Sequence, residues 1–165
     1  MNTTKLTNAA RLIAGLALLA ASAAALAGEF TQPRPGLHTG GQPSQEQIEQ
    51  FAGQGVRTVI DLRPDSEARG YDEAALVKQQ GLRYVQLPIA GPDDLTPENA
   101  AALKQALDES QGPVLLHCAS GNRVGALLAL MARQQEGTSR EQALELGREA
   151  GLKSLAPVVE ERLDP

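Results

Sequence analysis

The chain has 165 residues, with 15 basic against 20 acidic side chains, two histidines, two phenylalanines, two tyrosines, no tryptophan and one cysteine. A formal charge of −5 leaves no basic stripe for nucleic acid. One cysteine excludes an internal disulfide, and two histidines beside it give no metal-site spacing.

Residues 1–27 differ from the rest. Lys5 and Arg11 precede an apolar run over 12–26, and Ala25-Leu26-Ala27 is a small-residue cleavage pattern. The run is shorter than the ~20 residues a spanning helix needs. This predicts a signal peptide over 1–27 and a periplasmic or secreted product with no membrane attachment after cleavage. The mature part, 28–165, has one domain's length. Losing two basic residues and no acidic ones moves its formal charge from −5 to −7, so an anionic substrate has to be attracted locally.

Residues 29–35, with two prolines, read as an extended lead-in, and 36–41 as a short strand around Leu37 and His38, with His38 a turn residue. Ser44 and Gln47 form a capping-box pattern ahead of Ile48 and Phe51, which share one helical face. Gly53 and Gly55 stop that helix, 56–62 is a buried strand, and Arg63-Pro64-Asp65 turns the chain. A helix over 73–80 ends at Gly81, and 82–87 is the next strand. Thr96 caps a helix with Pro97 in its first turn and Leu103 and Leu107 on its apolar face. Gly112-Pro113 breaks it before a central strand at 114–117. Helices over 124–136, 139–150 (Ser139 and Gln142 repeat the capping box) and about 155–163 complete the chain. Strands alternating with helices predict an α/β layered domain with a largely parallel sheet of about four strands.

The informative stretch is 113–125, Pro-Val-Leu-Leu-His-Cys-Ala-Ser-Gly-Asn-Arg-Val-Gly. An apolar strand runs into His117 and Cys118, a short glycine-containing loop closes on Arg123, and a helix follows. A thiol beneath a helix N-terminus meets unpaired N–H groups and the positive end of the dipole, which favour a thiolate and a bound oxyanion. Cys118 is thus the candidate nucleophile. Arg123 offers a planar fork for two oxygens of a tetrahedral anion. Gly121 lets the backbone turn its N–H groups inward. The N–H groups from Ala119 through Ser120, Gly121 and Asn122 to Arg123 are the candidate anion ligands, with His117 ordering the loop by hydrogen bonding. Asp61 is expected to pair with Arg63 or a loop N–H, and Arg34, Arg69 and Arg83 to be surface charge.

The run His117-Cys118-Ala119-Ser120-Gly121-Asn122-Arg123 resembles the signature loop of the cysteine-dependent protein phosphatases, in the dual-specificity-like bacterial branch called beta-lactamase hydrolase-like phosphatase domains. Similar segments are Gly40-Gly41-Gln42-Pro43-Ser44, then Gly55-Val56-Arg57-Thr58-Val59-Ile60-Asp61-Leu62-Arg63, then Gly81-Leu82-Arg83-Tyr84-Val85 and Pro88. The resemblance covers about residues 36–135. It implies a cysteine-phosphatase-like fold and hydrolysis of a phosphate monoester through a phosphocysteine. It also implies a proton-donating carboxylate in the loop before the central helix, where Asp93 and Asp94 stand, Asp93 first, with Asp94 supporting. No metal or organic cofactor is implied.

Four residues separate Cys118 from Arg123, and Val124 follows. Phosphatases of this type usually have one residue more and a Ser or Thr behind the arginine, whereas single-domain rhodaneses share the spacing of four. A sulfurtransferase carrying a persulfide on Cys118, and a non-catalytic anion-binding module, are the alternatives. With so few aromatic side chains to build a deep phosphotyrosine pocket, the expected substrate is small or flexible, anionic or phosphorylated.

Overall fold

The computed structural model describes residues 29–163; the expected leader lies outside them. Five strands form one sheet in the order β1-β2-β5-β3-β4, with β1 spanning Phe30–Arg34, β2 Leu37–Gly40, β3 Thr58–Asp61, β4 Arg83–Gln86 and β5 Val114–His117. Neighbours from β2 to β4 are parallel, and only β1 against β2 is antiparallel. The fold class is therefore the expected mixed, mostly parallel α/β sheet, with one strand more than the expected four.

The extra strand is the proline-bearing lead-in. Gly36, with φ +76°, turns the chain back so that Phe30 pairs with Gly40 and Thr31 with Thr39. Pro33 cannot donate to a ladder. At the sheet edge that costs nothing, and the register shifts between Thr31 and Arg34. His38 is likewise part of a strand rather than a turn: its ring lies 5.1 Å from that of Phe51, and burial lowers its pKa.

Six α-helices cover the sheet: α1 Gln45–Gly53, α2 Glu73–Gln79, α3 Pro97–Asp108, α4 Asn122–Arg133, α5 Arg140–Glu149 and α6 Ala156–Leu163. Side chains alternate across each strand, so the sheet carries two apolar layers. Val59 and Leu115 pack against Ile48 and Phe51 of α1 and Val77 of α2. Ile60, Val114 and Leu116 pack on the other face against Leu103 of α3 and Leu127, Leu128 and Met131 of α4. α4 is buried from Val124 to Ala132. At about 1.5–3 kcal/mol for each large apolar side chain, it anchors the second layer.

The same alternation positions the chemistry. His117 shares the α1/α2 face with Leu115, and Cys118, one residue on, falls on the α4 face. Two consecutive residues are thereby delivered to opposite sides of the sheet at its carboxyl edge, where open α/β sheets bind ligands.

Candidate active site

Cys118 follows β5 and is fully buried, and its Sγ accepts the N–H of Gly121 at 3.1 Å. The ladder between β2 and β5 continues into this loop: Cys118 N donates to Gly40 O, Gln42 N donates to Ala119 O, and Gly41 bridges Ser120. Ala119 and Ser120 are exposed at the rim. Gly41 allows this close approach, since a Cβ on it would stand 3.0 Å from Ala119 O.

α4 begins at Asn122, two residues earlier than its periodicity predicts, so Arg123 sits in its first turn. Ser44, Asp72, Thr96 and Ser139 cap α1, α2, α3 and α5 with a side-chain oxygen. α4 has Gly121 at that position, at φ +85°, and no side-chain cap. The first-turn N–H groups of α4 therefore lack both an intrahelical and a side-chain acceptor, the condition under which a helix start binds an anion.

Arg123 is held from behind. Its Nη1 and Nη2 donate to Glu67 Oε1 and Oε2 at 2.5 and 2.9 Å, and Nη1 also donates to Ile89 O at 2.8 Å. The Glu67 carboxylate raises the pKa of the guanidinium. In return Arg123, against a smaller opposing effect of burial, holds Glu67 below the usual carboxylate range. The terminal edge of the guanidinium is thus committed to Glu67, which leaves Nε–H and one Nη2–H as a second fork. Glu67 carries no sequence signal, because it lies in the turn after β3, 56 residues from its partner.

Beneath the cradle runs a buried charge network. His117 Nε2 lies 2.6 Å from Glu73 Oε1, and Nδ1 lies 3.4 Å from Cys118 O and 3.9 Å from Asp61 Oδ1. Arg63 Nη2 bridges Glu73 Oε2 (2.6 Å) and Asp61 Oδ2 (3.2 Å). Asp61 also accepts from Arg63 N and Nε, Arg69 Nε and Tyr84 Oη. Burial alone would raise the Asp61 pKa. The hydrogen bonds from Arg63 and the nearby positive charges outweigh it and set the pKa below the ordinary value. Asp61 thus pairs with Arg63 as expected. Arg69 is not the expected surface charge, since it donates to Asp61 and to Arg63 O. Arg83 does lie on the surface, paired with Glu109. The ligand atoms of Asp61, Glu73 and His117 lie within 4.8 Å of one another, but the Arg63 guanidinium already bonds to both carboxylates and occupies the place of a cation.

The other expected site residues separate. Asn122 spends its side chain on the 151–155 turn: Oδ1 accepts Lys153 N and Leu155 N, and Nδ2 donates to Ser154 Oγ. Only its backbone belongs to the helix start. Asp94 closes its own 3₁₀ turn, Pro92–Asp94, accepting Ala90 N on Oδ2 and Asn99 Nδ2 on its carbonyl. Asp93 is exposed and lines a groove of about 610 Å³ with Leu130 and Arg133, from the far half of α4. Among the described residues neither carboxylate bonds to Cys118 or Arg123.

A five-stranded mixed sheet with a strand–cysteine–loop–helix at its carboxyl edge is the fold of the protein tyrosine phosphatase-like phosphatases. The chain can be superposed on two solved structures of phosphatase candidates. One from Shewanella putrefaciens CN-32 is 26% identical with a TM-score of 0.63, covering 81% of this chain and 89% of that one. One from Neisseria meningitidis is 23% identical with a TM-score of 0.66, covering 81% and 95%. Residues 29–135 match the profile described as beta-lactamase hydrolase-like protein, phosphatase-like domain, and the chain belongs to that family. A curated relative, the beta-lactamase hydrolase-like protein of Xylella fastidiosa, is 34% identical over 119 residues, 70% of this chain and 27% of that protein. The chain thus spans about a quarter of that relative's length.

Proposed function

We propose that this chain is an exported cysteine-dependent phosphatase-like hydrolase of small phosphate monoesters. The observation that carries the reading is Cys118 Sγ accepting the Gly121 N–H beneath an uncapped helix that bears Arg123 in its first turn. Export rests on the leader-like pattern of residues 1–27, ahead of a single free thiol.

In this mechanism the Cys118 thiolate attacks phosphorus, the S–P bond forms as the P–O bond to the leaving group breaks, and the departing oxygen takes a proton from a carboxylic acid. Water then attacks the phosphocysteine, giving its proton to the same carboxylate and releasing phosphate and thiolate. The first-turn N–H groups of α4 and the second fork of Arg123 hold the equatorial oxygens as charge develops on them. Asp93 is the acid. Asp94 is tied to Ala90 N, and both carboxylate oxygens of Glu67 are taken by Arg123. In this reading the 88–95 loop closes to bring Asp93 over the cradle when substrate binds, in the manner of catalytic loops.

Hydrolysis of an aryl phosphate by the purified chain, lost in Cys118→Ser, tests the reading. Transfer of one sulfur atom from thiosulfate to Cys118, released by cyanide and without phosphate hydrolysis, establishes the sulfurtransferase alternative that the four-residue spacing allows.

A further inference from the structure

The family match ends at residue 135, yet the chain beyond it comes back to the cradle. α4 and α5 cross at two glycines: a Cβ on Gly125 would fall inside contact of Leu152 N and Gly147 O, and one on Gly147 would stand 2.8 Å from Gly125 O. This crossing sets the turn at 151–155 against the start of α4, where a Cβ on Gly151 would meet Gly121 O at 3.2 Å. Asn122 then fastens the turn with three hydrogen bonds, to Lys153 N at 2.8 Å, Leu155 N at 3.3 Å and Ser154 Oγ at 2.7 Å. The residue that opens the anion-binding helix is also the residue that anchors this turn.

Lys153 and Ser154 are exposed there. Arg123 is balanced by Glu67 and Arg69 by Asp61, whereas the Lys153 ammonium meets no carboxylate among the described residues. It is an exposed, unpaired cation on a turn that Asn122 fastens to the start of α4, and its flexible four-carbon stem lets it reach toward a ligand there.

We propose that the 151–155 turn is a second anion-recognition element, and that the cradle takes substrates carrying another anionic group next to the scissile phosphate, with Lys153 meeting that group and Ser154 offering it a hydroxyl. This rests on the phosphatase-like reading of the cradle. The 136–163 segment, outside the family match, would then supply specificity to a shared anion site.

Isothermal titration of the purified full chain with inorganic phosphate, pyrophosphate and tripolyphosphate tests this, alongside hydrolysis of para-nitrophenyl phosphate as a separate readout. The expected result is tighter binding of the two longer anions. Lys153→Ala reduces that preference by about three- to tenfold at low salt, as for an exposed charge pair, and leaves phosphate affinity and aryl phosphate hydrolysis unchanged. Lys153→Arg keeps the preference. A preference untouched by Lys153→Ala, or an equal loss for all three anions, overturns the proposal. If phosphate binds but para-nitrophenyl phosphate is not hydrolysed, the hydrolase reading fails while the binding ratios still decide this one. If phosphate does not bind at all, both fall.

Discussion

Glu67 and Arg123 meet edge to edge, two carboxylate oxygens on two guanidinium nitrogens, across 56 residues of sequence. The pair is one-eighth exposed on the arginine side and one-third exposed on the glutamate side. It fixes which edge of Arg123 remains for an anion, and Ile89 O reinforces the choice. Glu67→Gln is expected to lower kcat/KM for an aryl phosphate by about tenfold and to weaken inhibition by phosphate, because a charge-assisted bidentate grip becomes a neutral one. Steady-state kinetics with phosphate as inhibitor check this. Tighter phosphate inhibition in the variant would mean that Glu67 competes for the arginine rather than orienting it.

Glu73 is the first residue of α2 and fully buried, with one oxygen on His117 and the other on Arg63. Glu73→Ala leaves the buried imidazole without its carboxylate partner and the buried guanidinium with only one of its two carboxylates. Arg63 already has one buried nitrogen, Nη1, without a partner. Breaking such a pair from one side costs about 3–5 kcal/mol, which a urea titration reads directly. Glu73→Gln keeps a hydrogen-bond acceptor and is expected to lose less. Equal stability in Glu73→Ala and the parent chain would refute the network's role.

Acid stability follows from the same carboxylates. The pKa values of Asp61 and Glu67 are both depressed in the folded chain by their arginine partners, while the unfolded chain titrates near the ordinary values of about 4. The unfolded state therefore binds more protons as pH falls, so this contribution is fully present above about pH 5 and is lost through and below pH 4. Asp61→Asn is expected to be less stable at neutral pH and to show a shallower acid slope in urea midpoints. A parent chain that grows more stable between pH 5 and pH 3 contradicts the assignment.

Gly125→Ala places a methyl group against the backbone at Leu152 and Gly147. Neither can yield as a side-chain tip would, so a loss of about 1–3 kcal/mol is expected in thermal or urea unfolding, together with weaker anchoring of the 151–155 turn on Asn122. A neutral Gly125→Ala would show that the two helices separate without cost.

What was legible in the sequence is local. Both capping boxes, at Ser44 with Gln47 and Ser139 with Gln142, are formed as read, and the central strand has the bounds that Val114 to His117 suggested. Their signals lie within a few residues of the structure they specify. The edge strand β1 reads from the sequence only as extended, because Pro33 argues against a strand unless its place at the edge is known. The partners of the loop were missed for a related reason. Glu67 reaches Arg123, Glu73 reaches His117 and Asn122 reaches Ser154 across 56, 44 and 32 residues, and nothing in the spacing of any one segment encodes such a meeting. The nucleophile loop was readable because strand, thiol, glycine and arginine are contiguous. The orientation of Asn122 depends on packing that brings the turn between α5 and α6 to the start of α4.

The central claim is that Cys118 is the group that turns over phosphate. The most direct measurement is rapid acid quench of the purified chain with a 32P-labelled aryl phosphate, followed by mapping of the labelled peptide, for the parent and Cys118→Ser. The expected result is a transient thiophosphate bond on the peptide containing Cys118, and neither label nor turnover in the serine variant. Undiminished hydrolysis by Cys118→Ser, or label trapped on another residue, would contradict it.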